Sequence, residues 1–183
     1  MPITTYTAGQ VLTAASLNSN FAAGNLFFIK SETIGSAVSS VTVSDAFSST
    51  YENYKIILSG GVASTTSTLV MTLGATVTGY YWAINSCTFA AVAGGNGAEN
   101  TSSWRVGGGT TAILSGSIEL FGPNLANETV YNANYQLNAT SGGAAVAAGG
   151  FLNNTTQYTA FTITTSSGTL TGGTIRVYGI QNS

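Results

Sequence analysis

In AILSGSIELF, residues 112–121, the side chains take turns: Leu114, Gly116, Ile118 and Leu120 make one strongly apolar set, and Ile113, Ser115, Ser117, Glu119 and Phe121 make the other. A repeat of two puts successive side chains on opposite faces of an extended chain, the signature of a strand with one face buried. TIRVYGI, residues 174–180, has the same form, with Ile175 and Val177 on one face and Arg176 and Tyr178 on the other. From Leu26 onward the chain is a series of short segments rich in β-branched and aromatic residues, parted by clusters of Gly, Ser, Asn and Thr that end each extended run. The pattern predicts strands over Leu26–Thr33, Val38–Val43, Tyr54–Ser59, Thr68–Leu73, Tyr80–Asn85, Ser103–Val106, Ala112–Phe121, Val130–Asn138, Ala144–Phe151, Tyr158–Thr165 and Thr174–Ile180. AGGNGAENT, residues 93–101, reads as the longest turn-rich loop between them.

So many strands overfill one open sheet and suit two packed sheets. They come at irregular spacings, without the fixed repeat of a β-helix or propeller. The fold expected is all-β: a jelly-roll-like β-sandwich. An immunoglobulin-like sandwich is the alternative, weakened by the lack of a cysteine pair.

The N-terminal segment is different. Thr13 suits an N-cap, and AASLNSNFA, residues 14–22, follows without Gly or Pro, with Leu17 and Phe21 one helical turn apart. Ala23-Gly24 closes the run. A helix of about ten residues is marginal alone in water, so its Leu12, Leu17 and Phe21 stripe needs a surface to pack against. The chain therefore divides into an N-terminal segment, residues 1–24, with a short extended piece and a helix, and a β-sandwich knob, residues 25–183.

Composition narrows what such a chain binds. Of 183 residues only 5% are charged and 44% are apolar, with 23 glycines and a net charge of −2. A surface without dispersed charge gives little repulsion between copies, so self-association is expected. Lys30, Lys55, Arg105 and Arg176 are the only cations. They make no basic face for a phosphate backbone or anionic lipid, so neither nucleic acid nor membrane surface is an expected partner. The start MPITTYTAG has no secretory character, and no window is long and apolar enough to span a bilayer. The single cysteine, Cys87, excludes a disulfide within the chain and is expected as a small buried hydrophobe.

Candidate chemistry is sparse. Histidine is absent, which removes the commonest general base and metal ligand. The six acids are scattered; Glu119 and Glu128 are the one pair that neighbouring strands might bring together as in a glycosidase, and solvated strand edges explain them more simply. Gly107–Gly109, Gly142-Gly143 and Gly149-Gly150 lack the Lys-Ser/Thr of a phosphate cradle and read as turns and bulges. No catalytic residue, cofactor or metal site is expected, and the chain does not read as an enzyme. Tyr80, Tyr81, Trp82 and Trp104 flank the Gly/Asn-rich segment. They are either core aromatics or a recognition surface on which sugar rings stack, the latter helped by the neighbouring 93–101 segment.

TYTAGQVLTAASLNSNFA, residues 5–22, resembles the opening of many tailed-bacteriophage appendage proteins, matching at Gly9, Val11, Leu12, Thr13, Ala14, Leu17, Asn18 and Phe21. YENYKIILSGG at 51–61, TLVMTLGATVTGYYW at 68–82 and TGGTIRVYGIQN at 171–182 look like the C-terminal β domain of phage fibre and virion structural proteins. The resemblance implies a homo-oligomeric virion component, commonly a trimer, assembled in the bacterial cytoplasm and displayed on the virion surface. It implies an N-terminal part attached to the particle and a β knob turned outward to a host surface, a glycan among the candidate ligands; Val11, Leu12, Leu17 and Phe21 are the side chains expected to be covered there, by tail, neck or capsid proteins or by sister subunits. No coiled-coil or collagen-like shaft separates the opening from the knob, which favours a short knob or a capsid decoration over a long fibre.

Overall fold

The computed structural model describes residues 8–9, 11, 13, 26–137 and 143–180. The helix expected within residues 14–22 lies outside these, and among the described residues there is no helix. The strands are β1 (Leu26–Thr33), β2 (Ser40–Val43), β3 (Asn53–Ser59), β4 (Val62–Ala63), β5 (Ser67–Leu73), β6 (Tyr80–Thr88), β7 (Ala93–Thr101), β8 (Trp104–Gly109), β9 (Leu114–Phe121), β10 (Thr129–Leu137), β11 (Ala144–Leu152), β12 (Phe161–Thr165), β13 (Leu170–Thr171) and β14 (Thr174–Ile180). The described residues are all-β and their ladders are antiparallel.

Twelve strands join in one hydrogen-bonded sheet that runs as two layers. The broad layer is ordered β1-β14-β3-β9-β10-β11-β6-β7 and the narrow one β2-β12-β5-β8. They meet where Gly108 and Gly109 of β8 pair with Ser115 and Leu114 of β9. Further along, β9 pairs instead with β10, Ser117 opposite Asn134. Ser115 bridges the handover: its hydroxyl donates to the Gln136 carbonyl at 2.8 Å and accepts the Gln136 N–H at 3.0 Å. Crowding here explains the glycines. A Cβ on Gly108 would lie 2.3 Å from the Gln136 carbonyl oxygen, closer than any side chain tolerates. The residue before this string, Val106, bulges out of register between Leu69–Gly107 and Val70–Arg105.

The layers face each other across one core, an arrangement consistent with a β-sandwich. Burial in β9 alternates as its sequence predicts, with Leu114, Gly116, Ile118 and Leu120 inside, and Ile175, Val177 and Gly179 are the buried residues of β14. Tyr54, Ile56, Ile118, Leu120 and Tyr131 from the broad layer meet Leu69, Met71, Leu73, Phe161 and Ile163 from the narrow one in a single buried cluster. Rings span the gap: Phe47 lies 4.8 Å from Tyr54 and 5.6 Å from Phe161, and Trp104 of β8 stacks on Tyr131 of β10 at 4.6 Å. Offset and edge contacts of this kind add roughly 0.5–1.5 kcal/mol each beyond the area they bury.

Eight strands make the sandwich itself, and two hairpins extend its broad layer. β6–β7 and β10–β11 lie side by side beyond β9, in the order β10-β11-β6-β7, as a wing that the four-stranded layer is too narrow to cover fully. Beneath the wing, Tyr131 donates to the Arg105 carbonyl at 3.2 Å, and the Arg105 guanidinium caps the Trp82 ring at 4.5 Å.

Candidate functional site

β6 divides the four aromatics singled out by sequence. Tyr80 points into the core at 0% exposure, as does Trp104 of β8. Both are core residues, not recognition residues. They meet edge to face at 5.1 Å, and the Trp104 indole N–H donates to the Phe151 carbonyl at 3.2 Å. The Tyr80 hydroxyl accepts the Leu73 N–H at 2.8 Å and donates to the Thr76 carbonyl at 3.1 Å. Burial, only partly offset by the Leu73 N–H, pushes this phenol up to about 12. Burial likewise raises Tyr131 and Tyr135, while the nearby Arg105 charge pulls both the other way.

Tyr81 and Trp82 are half-buried. Trp82 shares the inward side of β6 with Tyr80 and is occupied by Arg105. Tyr81 stands on the outer face of the wing, where pairing sets it directly opposite Phe151 of β11. The two rings stack at 4.8 Å with planes 6° apart. In the next row Ala83 lies opposite Gly149 on one side and Gly97 on the other. With no side chain larger than methyl in that row, the surface drops beside the rings into an open depression of about 440 Å³, bordered on the β7 side by Glu99. Residues Glu99 and Asn100 are the bulge opposite Tyr81, and Asn100 takes φ 51° while its side chain accepts the Gly79 N–H at 3.0 Å.

A wider groove of about 820 Å³ crosses the same outer face farther along the strands, its lining mostly apolar, with Ile57, Ile113, Ala145 and Ala147 among Ser117 and Asn134.

Two further expectations are corrected. Residues 93–101 form a nine-residue edge strand, β7, and not a loop. Cys87 is exposed on the outer face of β6 and not buried, because the strand's alternation puts it in phase with Tyr81 and Ala83. Glu119 does not face Glu128: in the β3–β9 register its carboxylate takes the Lys55 ammonium at 2.9 Å. Of the anchoring residues, Val11 is 82% exposed and belongs to no strand, whereas Leu12, Leu17 and Phe21 lie outside the described residues.

Phe151 and Ala83 complete the depression without a signal in the sequence, Glu99 lies in the 93–101 segment, and Gly149, which reads as a turn or bulge glycine, pairs in regular register within β11. Phe151 ends a predicted strand, but its partner lies 70 positions earlier, and only the strand register joins them. Among the described residues no group of three or more His, Cys, Asp or Glu is placed to hold a metal ion. Compared with family models, curated proteins and solved structures, the chain matches none.

Proposed function

We propose that the chain is a structural protein of a bacteriophage virion, an oligomeric surface appendage of short-fibre or knob type carried on tail or neck through its N-terminal segment. The observation that carries this reading is that two of the segments resembling virion β domains are neighbours in space. YENYKIILSGG contributes β3 and TGGTIRVYGIQN contributes β14, which pair antiparallel from Asn53–Ile180 to Ser59–Thr174. β1, the first strand after the N-terminal segment, pairs with β14 in turn. These two segments thus lie side by side next to β1, while the third, residues 68–82, supplies β5 of the narrow layer and the start of β6 in the wing.

Strand order supports a jelly roll in particular. Setting aside the two wing hairpins and the two-residue strands, eight strands remain. They run first, eighth, third, sixth in the broad layer and second, seventh, fourth, fifth in the narrow one. That is the order of an eight-stranded jelly roll, an architecture common in viral shells and in lectins. Fold alone does not assign function. A second reading, a capsid decoration or head-fibre protein that stabilises the shell, is favoured by the short distance between the opening motif and β1 at Leu26, which leaves no shaft.

Stoichiometry decides between them. In purified particles, the band of this protein weighed against the major capsid protein gives a handful of trimers per virion for a tail or neck part and tens to hundreds of copies for a shell decoration. Absence of the protein from purified particles overturns both readings.

A further inference from the structure

We propose that the depression on the outer face of the wing is a carbohydrate site that takes a neutral or amino pyranose. The inference takes its biological meaning from the host-facing reading above and assigns that reading a place and a ligand class. The wing consists of two hairpins outside the eight strands of the sandwich that share its core through Tyr80, Tyr131 and Leu152, and added elements of this kind are where a fold acquires a site.

Three features fit one ligand chemistry. Tyr81 and Phe151 form a stacked pair on an exposed sheet face, where no core packing requires aromatic rings. The row beside them is cut down to Ala83, Gly97 and Gly149, so a flat ring set against the aromatic pair meets only the Ala83 methyl and the Asn132 carboxamide, which leans over Gly149. Glu99 closes one side, and Asn132, opposite Gly149 on β10, stands on the other. A pyranose is apolar on its C–H face and ringed by hydroxyl donors, which matches an aromatic wall flanked by a carboxylate and a carboxamide. A peptide anchor side chain calls instead for an enclosed apolar pocket.

Charge selects among sugars. Lys55 is paired with Glu119, Lys30 donates to the Ser44 carbonyl, Arg176 to the Ser59 hydroxyl, and Arg105 lies over Trp82 on the inner side. None of the four cations borders the depression, so Glu99 sets its field. A uronic or sialic acid is repelled, whereas hydroxyl and ammonium groups are attracted.

The test is NMR titration of the full-length protein with N-acetylglucosamine, glucosamine and glucuronic acid. Binding of the first two in the millimolar range, with shifts at Tyr81, Ala83, Gly97 and Gly149 and none from glucuronic acid, is expected. Tyr81→Ala removes the stacking face, and Ala83→Ile fills the floor with a residue that strands favour. Each weakens binding at least tenfold while the remaining spectrum stays folded, and Glu99→Gln lets glucuronic acid bind. The proposal is overturned if none of the three sugars binds, or if binding survives both Tyr81→Ala and Ala83→Ile. The unmutated protein is also scored for particle incorporation: normal incorporation without sugar binding rejects the site alone, whereas absence from particles rejects the appendage reading.

Discussion

Thr129 is 1% exposed and its hydroxyl is the one buried side-chain oxygen or nitrogen without a hydrogen-bond partner among the described residues. Burying such a group costs roughly 1–3 kcal/mol that an isosteric methyl avoids. Thr129→Val is therefore expected to raise the unfolding free energy by about 1 kcal/mol, read as a higher denaturant midpoint with unchanged slope; an equal or lower midpoint means that the hydroxyl has a role in the fold. The buried phenols make a second prediction at this scale. Tyr80 is raised from about 10 to about 12, and Tyr131 and Tyr135 move in the same direction. A group whose folded pKa lies above its unfolded one contributes its full share below the unfolded value and loses it as pH rises. Stability should therefore be flat up to about pH 10 and fall steeply between about 10 and 12. In an absorbance titration at 295 nm the ionisation of these three phenols should coincide with unfolding; ionisation before the loss of near-UV dichroism contradicts their burial.

At the scale of elements, alternation made most of the sheet legible. β1 and β14 occupy the residues their pattern indicates, and β9 buries the set that its sequence marks as apolar. β7 escaped because AGGNGAENT has the composition of a turn; it is extended because Ala93, Gly95, Gly97 and Ala98 find partners along β6, not because of any propensity of its own. The two-residue strands β4 and β13 are too short to carry a period at all. On the aromatics, period two states that Tyr80 and Trp82 share a face but leaves open which face is the core. That choice is made by β8, which brings Trp104 under β10 and β6. As an edge strand, β7 has only one hydrogen-bonded side, so hydrogen exchange should alternate along it, with every second amide exchanging freely. β11, paired on both sides along its whole length, should be protected throughout. Uniformly fast exchange over residues 93–101 would contradict the strand.

The whole molecule is a nearly uncharged two-layer body whose broad layer carries an extra wing, with exposed apolar side chains such as Phe28, Phe89 and Val92 left at its margins. Such a surface suits a protein that works as part of an assembly more than one that diffuses alone. A self-associated species, trimeric by light scattering and insensitive to salt, is expected of the recombinant protein, because little charge is available for salt to screen. The central claim is that residues 1–24 hold the knob on a particle. The direct measurement compares particles assembled with the full chain and with residues 25–183 alone, after circular dichroism has established that the shorter chain keeps its β spectrum. Full-length protein on the particle with the truncated form left behind in the supernatant is the predicted result; a truncated knob that copurifies with virions at full occupancy contradicts it.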